Sequence, residues 1–420
     1  MTDDHRPGRD TRTVHPSGGW RPGLAVVGAA VLAVALVACA TPPRFGVSTT
    51  VVTPTGTCDT SRVVEIGASL ALSGSQGPLG REYLTGLKMA VAHVNSTGGV
   101  LTHHQCLELL YKDDGGSVPV AQRAVVDLVD RDQVNFLVGP ILSAQAKGAS
   151  AALARSNIPA ASFSTLNQTF RRAASPWTFP LTSSSGVTTT AMIAFAQTQG
   201  WRRLAVAATD DPVGRQGVAS LAASAARRGL TITGEEFIPS TDPADQSLQR
   251  LRATHPDGVA LVGDTLAVTA ALQGRAALAW DVPVVASSIA IDPNVVNALG
   301  PSGLAGVDVV VPQAIVAQPG ISDADVRAFR DALRTQAPRS LTGSIVAFAQ
   351  GYDAISMLAS AVQSVHSLAA ANIRTYLESA NYQGLLASYT YTASTHTGIP
   401  GNQQVTVPAS GLSDGLFPSP

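Results

Sequence analysis

Residues 63–72 read Val-Val-Glu-Ile-Gly-Ala-Ser-Leu-Ala-Leu, and they run directly into Ser-Gly-Ser-Gln-Gly-Pro-Leu-Gly at residues 73–80. A continuous apolar run bounded by a glycine-rich turn indicates a buried strand. A helical pattern follows and stops at Asn95-Ser-Thr-Gly-Gly99, and a second apolar run then ends at Lys112-Asp-Asp114. The order strand, glycine turn, helix, strand indicates a βαβ unit of a parallel sheet.

The same alternation continues along the chain. Apolar runs of strand length, separated by segments with helical periodicity, recur at residues 107–112, 134–138, 159–163, 203–208, 230–238, 258–263 and 282–287. Runs of this kind are typical of strands that are buried on both faces of a parallel sheet. Two consecutive sets of such units, before and after residues 179–185, predict two similar α/β lobes.

The amino terminus predicts where the protein works. Four arginines precede an apolar run at residues 24–38, which is shorter than the roughly 20 residues of a membrane span but fits a signal peptide over residues 1–38. The run ends in Leu36-Val-Ala-Cys39, which is similar to a bacterial lipobox, so we predict that Cys39 is acylated and anchors the protein to the outer face of the cell membrane. The alternative is an uncleaved membrane anchor with Cys39 buried. The Thr- and Pro-rich residues 39–59 predict a flexible linker.

Composition excludes one large class of function. The net charge is -1, only 14% of the residues are charged, and the chain has three lysines. Because nucleic-acid binding requires a clustered basic face, we exclude that class.

Two cysteines are left in an oxidising compartment once Cys39 is lipidated. Cys58 lies just before the first predicted strand and Cys106 opens the second. Neighbouring parallel strands bring their starting ends close together, so we predict a disulfide between them rather than two unpaired thiols.

No motif for catalysis or cofactor binding stands in the context that it requires. The sequence contains no Gly-x-Gly-x-x-Gly and no Gly-x-x-x-x-Gly-Lys. Its one Gly-x-Ser-x-Gly, at residues 411–415, lies in a stretch that is typical of a loop, whereas a nucleophile elbow lies between a strand and a helix. The nearest metal-like cluster is His103-His-Gln-Cys106, and adjacent histidines before a strand cannot easily close on one ion. We therefore expect a binding protein, neither an enzyme nor a metalloprotein, with no cofactor.

Three motifs carry a resemblance to a known family: Leu72-Ser-Gly74 followed by Gly80, the Asn95-x-x-Gly-Gly99 stop, and Val138-Gly139 followed by Ser143. The chain resembles the type I periplasmic binding proteins, specifically the branched-chain amino acid branch that serves ABC importers. This resemblance implies an α/β fold of two Rossmann-like lobes with parallel sheets, joined by a three-stranded hinge, with the ligand cleft between the lobes. It places lobe 1 at residues 60–180 plus 312–388 and lobe 2 at residues 181–311 plus 389–420.

Ligands of open α/β sheets lie beyond the carboxyl ends of the strands, which in a two-lobed protein face each other across a cleft. The residues that follow the predicted strands are therefore the candidate ligand-binding residues: Ser73, Leu79, Ser143, Ala144, Ser164, Thr165, Asp210, Val213, Asp264 and Ser288.

Ser143 is the strongest candidate. It precedes a predicted helix, which it can cap while its hydroxyl faces the cleft, although a cap alone also explains a serine there. In the amino acid binders that this chain resembles, the matching serine holds the ligand's carboxylate with help from the next loop, here Ser164 and Thr165. An ungapped alignment puts Leu166 on the family's threonine, so Thr165 requires a shift of one residue.

Other positions depart from the family's pattern. Leu79 and Val213 stand where many relatives have an aromatic residue, and the acid that pairs with an amino acid's ammonium would fall near Ser288, which is not acidic. We therefore expect an anionic or neutral polar ligand. If an acid does serve, Asp264 or Asp210 is the expected substitute.

The favoured function is that of a monomeric solute-binding lipoprotein that delivers a small polar molecule, an amino acid or a related carboxylate or amide, to an ABC permease. A ligand sensor of the same fold, acting on a membrane signalling partner, is the first alternative. A lipid-anchored hydrolase is the second, although no serine lies at a strand-to-helix nucleophile elbow.

Overall fold

The computed structural model describes residues 47–238, 244–316, 324–336 and 341–417. The predicted signal peptide at residues 1–38 and the lipidation site Cys39 lie outside these ranges. Within them, no single helix has the length and apolar composition of a membrane span, although the bent pair Val346–Val365 and Ala370–Leu377 reaches both when taken together.

The strands of the first sheet are β1 (Thr49–Val52), β2 (Asp59–Leu70), β3 (Gln105–Asp113), β4 (Phe136–Val138), β5 (Ala160–Ser162) and β6 (Thr178–Pro180). They lie in the order β1-β3-β2-β4-β5-β6. All neighbours are parallel except β1, which pairs antiparallel with β3 at the edge. Val64, Ile66 and Leu70 of β2 are at most 1% exposed, because helices cover both faces of the sheet.

The strands of the second sheet are β7 (Arg203–Thr209), β8 (Thr231–Ile238), β9 (Gly258–Val262), β10 (Val284–Ser287), β11 (Val307–Pro312) and β14 (Gln404–Pro408). Their order is β14-β11-β10-β9-β7-β8. The strands β12 (Asn381–Gln383) and β13 (Ser388–Thr390) form a separate hairpin. The edge strand β14 is antiparallel to β11, so the end of the chain returns to complete this sheet.

The helices are α1 (Gly77–Ser96), α2 (Val118–Val126), α3 (Ser143–Ser156), α4 (Ser185–Thr198), α5 (Pro212–Arg228), α6 (Asp245–Ala253), α7 (Thr265–Ala277), α8 (Pro293–Gly303), α9 (Ala324–Gln336), α10 (Val346–Val365) and α11 (Ala370–Leu377). Helices alternate with strands through both sheets. The predicted α/β class with two sheets is confirmed, with the correction that each sheet carries one antiparallel edge strand.

Helices α1 and α10 pack unusually close together. A Cβ atom at Gly86 would lie 1.9 Å from the carbonyl oxygen of Phe348, and one at Gly351 would lie 2.4 Å from that of Tyr83. Only glycine permits this approach of two backbones. As a result, the first turns of both helices meet at the same end of the molecule, where they contribute to the cavity described below.

The predicted flexible linker at residues 39–59 differs from the structure over its described part. Its β-branched stretch Thr49–Val52 pairs with β3, and the backbone N–H of Thr57 donates to the carbonyl oxygen of Asn95 at 3.1 Å. The Lys112 ammonium also donates to the carbonyl oxygen of Val47 at 3.0 Å. Residues 49–52 are therefore a strand of the first sheet, and Thr57 is held to the end of α1.

Cys58 and Cys106 are joined by a disulfide, as predicted, with their Cα atoms 5.1 Å apart. The bond ties the start of β2 to the start of β3. The lobe boundaries stay a prediction, but the two sheets draw their strands from residues 49–180 and from residues 203–312 plus 404–408.

Candidate ligand-binding cleft

A cavity of about 450 Å³ lies at the carboxyl ends of the strands of both sheets. Its walls come from the loops and helix starts that follow β2, β4 and β5 on one side, and β7, β9 and β10 on the other. The polar or aromatic residues among its walls include Gln76, Glu82, Tyr83, Ser143, Phe163 and Thr165 on the first side, and Asp211, Asp264, Thr265, Ser288 and Asp292 on the second.

A larger groove of about 1010 Å³ lies elsewhere, along α1, α9 and α10. Only Gln313 and Ala314 of its lining residues directly follow a parallel strand of either sheet, namely β11. Helix α9 is also flanked by residues 317–323 and 337–340, which are outside the described ranges. The rule for ligand position in open α/β sheets therefore selects the smaller cavity between the sheets.

Ser143 and Thr165 form a hydroxyl pair on the cavity wall. The backbone N–H of Thr165 donates to Ser143 Oγ at 3.0 Å, and the two hydroxyl oxygens are 3.4 Å apart. The prediction that Ser143 caps α3 is wrong, because Leu142 is the N-cap and Ser143 is the first helical residue. Its side chain instead ties the loop after β4 to the loop after β5.

Of the ten predicted site residues, seven line the cavity: Leu79, Ser143, Ala144, Thr165, Val213, Asp264 and Ser288. The structure thus places Thr165 at the cavity, where the shifted alignment puts it, while Leu166 is buried at 2% exposure.

The other three predicted residues point elsewhere. Ser73 is exposed, and its backbone N–H donates to Asp113 Oδ1 at 3.2 Å. Ser164 is completely buried, and its hydroxyl accepts a hydrogen bond from the Thr169 hydroxyl at 3.1 Å. Asp210 is exposed and forms an ion pair with Arg215. None of the three lines the cavity.

Two aspartates of the second sheet combine a structural task with a place at the cavity. Asp211 is the N-cap of α5, where its Oδ1 accepts from the Gly214 N–H at 2.7 Å. Asp264 is the N-cap of α7, where its Oδ1 accepts from the Ala267 N–H at 2.9 Å. Burial, assisted by the charge of Asp264, raises the pKa of Asp211. The two carboxyl groups thus lie close enough to interact.

The sequence predictions missed an aromatic and amide wall on the first side. The rings of Tyr83 and Phe163 have centroids 4.4 Å apart. The Tyr83 hydroxyl donates to Gln350 Oε1 at 2.7 Å, and Gln350 is 4% exposed. Tyr83 follows the predicted Leu79 by four residues on α1 and therefore shares its helix face, which is the signal that could have found it.

Glu82, also missed, is 8% exposed and lines the cavity beside Tyr83. Burial, and next the charge of Asp292, raise the pKa of Glu82 to about 9. Burial also raises the pKa of Asp292, which is 5% exposed. Both acids are therefore held in surroundings that disfavour a negative charge.

The cavity is acidic as a whole. Four carboxyl groups, those of Glu82, Asp211, Asp264 and Asp292, are among the described residues that line it, and these residues include no lysine, arginine or histidine. The expectation of an anionic or neutral polar ligand rested on the absence of an acid near Ser288. Acids from other positions do reach the same cavity, and each of them opposes the entry of an anion when it is ionised.

Comparisons with known proteins agree with this architecture. A family model described as periplasmic binding protein matches residues 63–411. Among solved structures, the chain is similar to a periplasmic binding protein type 1 from Bordetella pertussis Tohama I, with 19% identity and a TM-score of 0.73 over 82% of this chain and 96% of that one.

Two further structures share the fold. The branched-chain amino acid transporter substrate binding protein LivJ from Streptococcus pneumoniae, solved in complex with isoleucine, has 18% identity and a TM-score of 0.70 over 81% of this chain and 94% of that one. An ABC transporter substrate-binding protein from Sphaerobacter thermophilus has 21% identity and a TM-score of 0.68 over 79% and 90%, respectively.

Proposed function

The chain belongs to the family of periplasmic binding proteins, and from this premise we propose that it captures a small polar solute in the cavity between its sheets and delivers it to an ABC importer. Members of this family bind ligands and do not transform them, so the chain is a binding protein and not an enzyme. They also work outside the cytoplasm, as this chain does.

The observation that carries the proposal is the position and chemistry of the cavity. It lies at the carboxyl ends of both sets of strands, with the Ser143 and Thr165 hydroxyls on one wall and the Asp211 and Asp264 carboxyl groups on the other. The Ser143–Thr165 pair stands at the N-terminus of the 14-residue helix α3, where backbone N–H groups and the helix dipole favour an anionic group. Asp211 and Asp264 face the cavity from the second sheet and favour a cationic one.

These two walls fit a molecule that carries both charges. We propose that its carboxylate docks at Ser143 and Thr165 and that its ammonium docks at Asp211 and Asp264, as an amino acid or a related carboxylate would. The remaining surface, with Leu79, Tyr83 and Phe163, is suited to the apolar part of such a solute.

The proposal includes an anchor and a partner. Acylation at Cys39 would hold the protein at the outer face of the cell membrane, where a monomer could present its loaded cleft to the permease. The motif at residues 36–39 supports the anchor.

A thermal-shift screen of small metabolites tests the proposal. A solute present at 100 times its dissociation constant adds about 2.7 kcal/mol to the free energy of unfolding. Ser143→Ala should weaken this stabilisation. The matched control is Ser150→Ala on the same helix, whose exposed hydroxyl only donates to the carbonyl oxygen of Lys147. Equal stabilisation of both variants would count against docking at Ser143.

A further inference from the structure

Glu82 is an acid that the fold leaves without a partner. It projects from α1 into the cavity and is 8% exposed, and its Oε2 atom has no hydrogen-bond partner among the described residues. A buried polar atom without a partner costs on the order of 1 to 3 kcal/mol, and more when the group is charged. Such an atom on the wall of a binding cavity is satisfied when a donor enters that cavity.

The surroundings of Glu82 do not supply that donor. Asp292, from the segment that follows β10 on the other side of the cavity, is close enough for its charge to act on Glu82. The Asp292 Oδ1 atom accepts bonds from the backbone N–H and side-chain amide of Asn294, at 2.9 and 2.7 Å. Two acids from opposite walls therefore approach each other, and their charges are mutually unfavourable unless a proton or a cation lies between them.

A second unpartnered oxygen lies in the same cavity. The hydroxyl of Thr265 at the start of α7 is buried, with 6% of the residue exposed, and has no hydrogen-bond partner among the described residues. Thr265 is neutral, so it points to a missing hydrogen-bonding ligand independently of the acidic residues.

We propose that Glu82 and Asp292 form a subsite for a cationic nitrogen of the solute, an ammonium or a guanidinium group. This inference rests on the proposed function and narrows it to solutes with a cation at the end that faces these two acids. Asp211 and Asp264 remain free for the α-ammonium of an amino acid, so a basic amino acid or a diamine fits the whole cavity.

An organic cation fits the Glu82–Asp292 subsite better than a metal ion does. A calcium ion takes six to eight oxygen ligands. In the part of the chain that the structure describes, no group of three or more acidic, histidine or cysteine side chains is arranged to hold a metal. Two carboxyl groups suit the several N–H donors of an ammonium or guanidinium group.

Calorimetry on the full chain tests the subsite with three matched pairs of probes: L-lysine against L-norleucine, L-arginine against L-citrulline, and 1,4-diaminobutane against 1-aminobutane. In each pair only the first member carries the additional cation. At least one cationic member should bind more tightly than its partner. Glu82→Gln should then weaken its binding by about 100-fold, since the variant keeps the shape but loses the charge.

The variants separate a subsite from a structural role. Asp292→Asn should reduce the same preference, and Glu235→Gln, the same change at an exposed position of β8, should not. Binding of the cation should also release a proton from Glu82, which calorimetry detects as a heat that depends on the ionisation enthalpy of the buffer. The other charged groups near Glu82 are Asp292 and Arg81, and its cavity also contains Asp211 and Asp264.

The outcomes distinguish this inference from the function on which it rests. If no pair shows a preference for its cationic member, or if Glu82→Gln retains the preference while folded, the subsite is overturned. In that case the proposed solute capture would still stand if a neutral solute bound to the native chain and did not bind to Ser143→Ala. Absence of stabilisation by any molecule of the metabolite screen would overturn both.

Discussion

Tyr83 and Gln350, which are 267 residues apart in sequence, join helices α1 and α10 through a hydrogen bond of 2.7 Å from the Tyr83 hydroxyl to Gln350 Oε1. The Gln350 amide in turn donates to the carbonyl oxygen of Leu181 at 3.0 Å. One chain of hydrogen bonds thus connects α1, α10 and the segment that follows β6. Because both side chains also line the cavity, the wall that faces the solute is fixed by the contacts that hold these elements together.

Tyr83→Phe should lower the free energy of unfolding by about 1 to 3 kcal/mol, because the buried Gln350 Oε1 loses its donor. The matched control is Tyr376→Phe, which removes a hydroxyl that accepts from Ser364 at an exposed position and should cost no more than about 0.5 kcal/mol. Chemical denaturation measures both values. Similar losses in the two variants would show that the buried bond adds nothing.

The disulfide should be a large contributor to stability. Cys58 and Cys106 are 48 residues apart in sequence, and closing a loop of that length is worth about 4 kcal/mol by chain entropy alone. The double variant Cys58→Ala, Cys106→Ala should be less stable by about 2 to 4 kcal/mol. Adding a reductant should destabilise the native chain in the same way and leave the double variant unchanged. A native chain that is insensitive to reductant would contradict the prediction.

Glu82 should make stability depend on pH in an unusual direction. Its pKa is about 9 in the folded protein, against an ordinary value of 4.5. The folded state thus holds the proton on Glu82 more tightly than the unfolded state does. The contribution of this proton to the free energy of unfolding is complete below pH 4.5 and is lost as the pH rises toward 9. Each unit of pKa shift corresponds to about 1.4 kcal/mol, so we expect a loss on the order of a few kcal/mol.

Glu82→Gln isolates this contribution. Asp353, whose pKa burial raises to about 6, also loses stability with rising pH, but its contribution ends near that value. Between pH 7 and pH 9, the decline in the free energy of unfolding should therefore be smaller in Glu82→Gln than in the native chain. Parallel declines would show that Glu82 is already ionised at neutral pH.

The sequence was sufficient to predict most of the sheet strands, because a strand buried on both faces must be apolar along its whole length. It did not assign the two antiparallel edge strands, β1 and β14, the short β6, or β11, whose apolar run is interrupted by Asp308. The cavity wall was predictable where it follows a strand, as at Ser143 and Asp264. It was not predictable at Glu82, whose direction depends on how α1 packs against α10, nor at Ser164, whose hydroxyl turns inward to Thr169.

Cys39→Ser should abolish membrane anchoring. The serine cannot form the thioether on which acylation depends, so the variant should appear in the soluble fraction or accumulate as the unprocessed precursor. Membrane fractionation and mass spectrometry of the intact protein measure this, with Cys58→Ala as the control that retains the lipidated cysteine. An acylated, membrane-bound Cys39→Ser protein would remove the lipoprotein assignment.

Asp264→Asn should separate the structural and binding tasks of this residue. Asparagine is as good an N-cap as aspartate, so the bond to the Ala267 N–H at 2.9 Å can persist and the free energy of unfolding should change by less than about 0.5 kcal/mol. The charge that would pair with a solute's ammonium is lost, which should weaken binding of an α-amino acid by about 100-fold.

Asp210→Asn is the matched control for this experiment, because Asp210 also follows a strand of the second sheet but is exposed and paired with Arg215. Calorimetry should find its affinity for the same amino acid unchanged. If Asp210→Asn weakened binding as much as Asp264→Asn, the effect would come from the overall charge of the region. If neither variant changed the affinity, the ammonium would have to be held elsewhere in the cavity, and the acids left to hold it would be Glu82, Asp211 and Asp292.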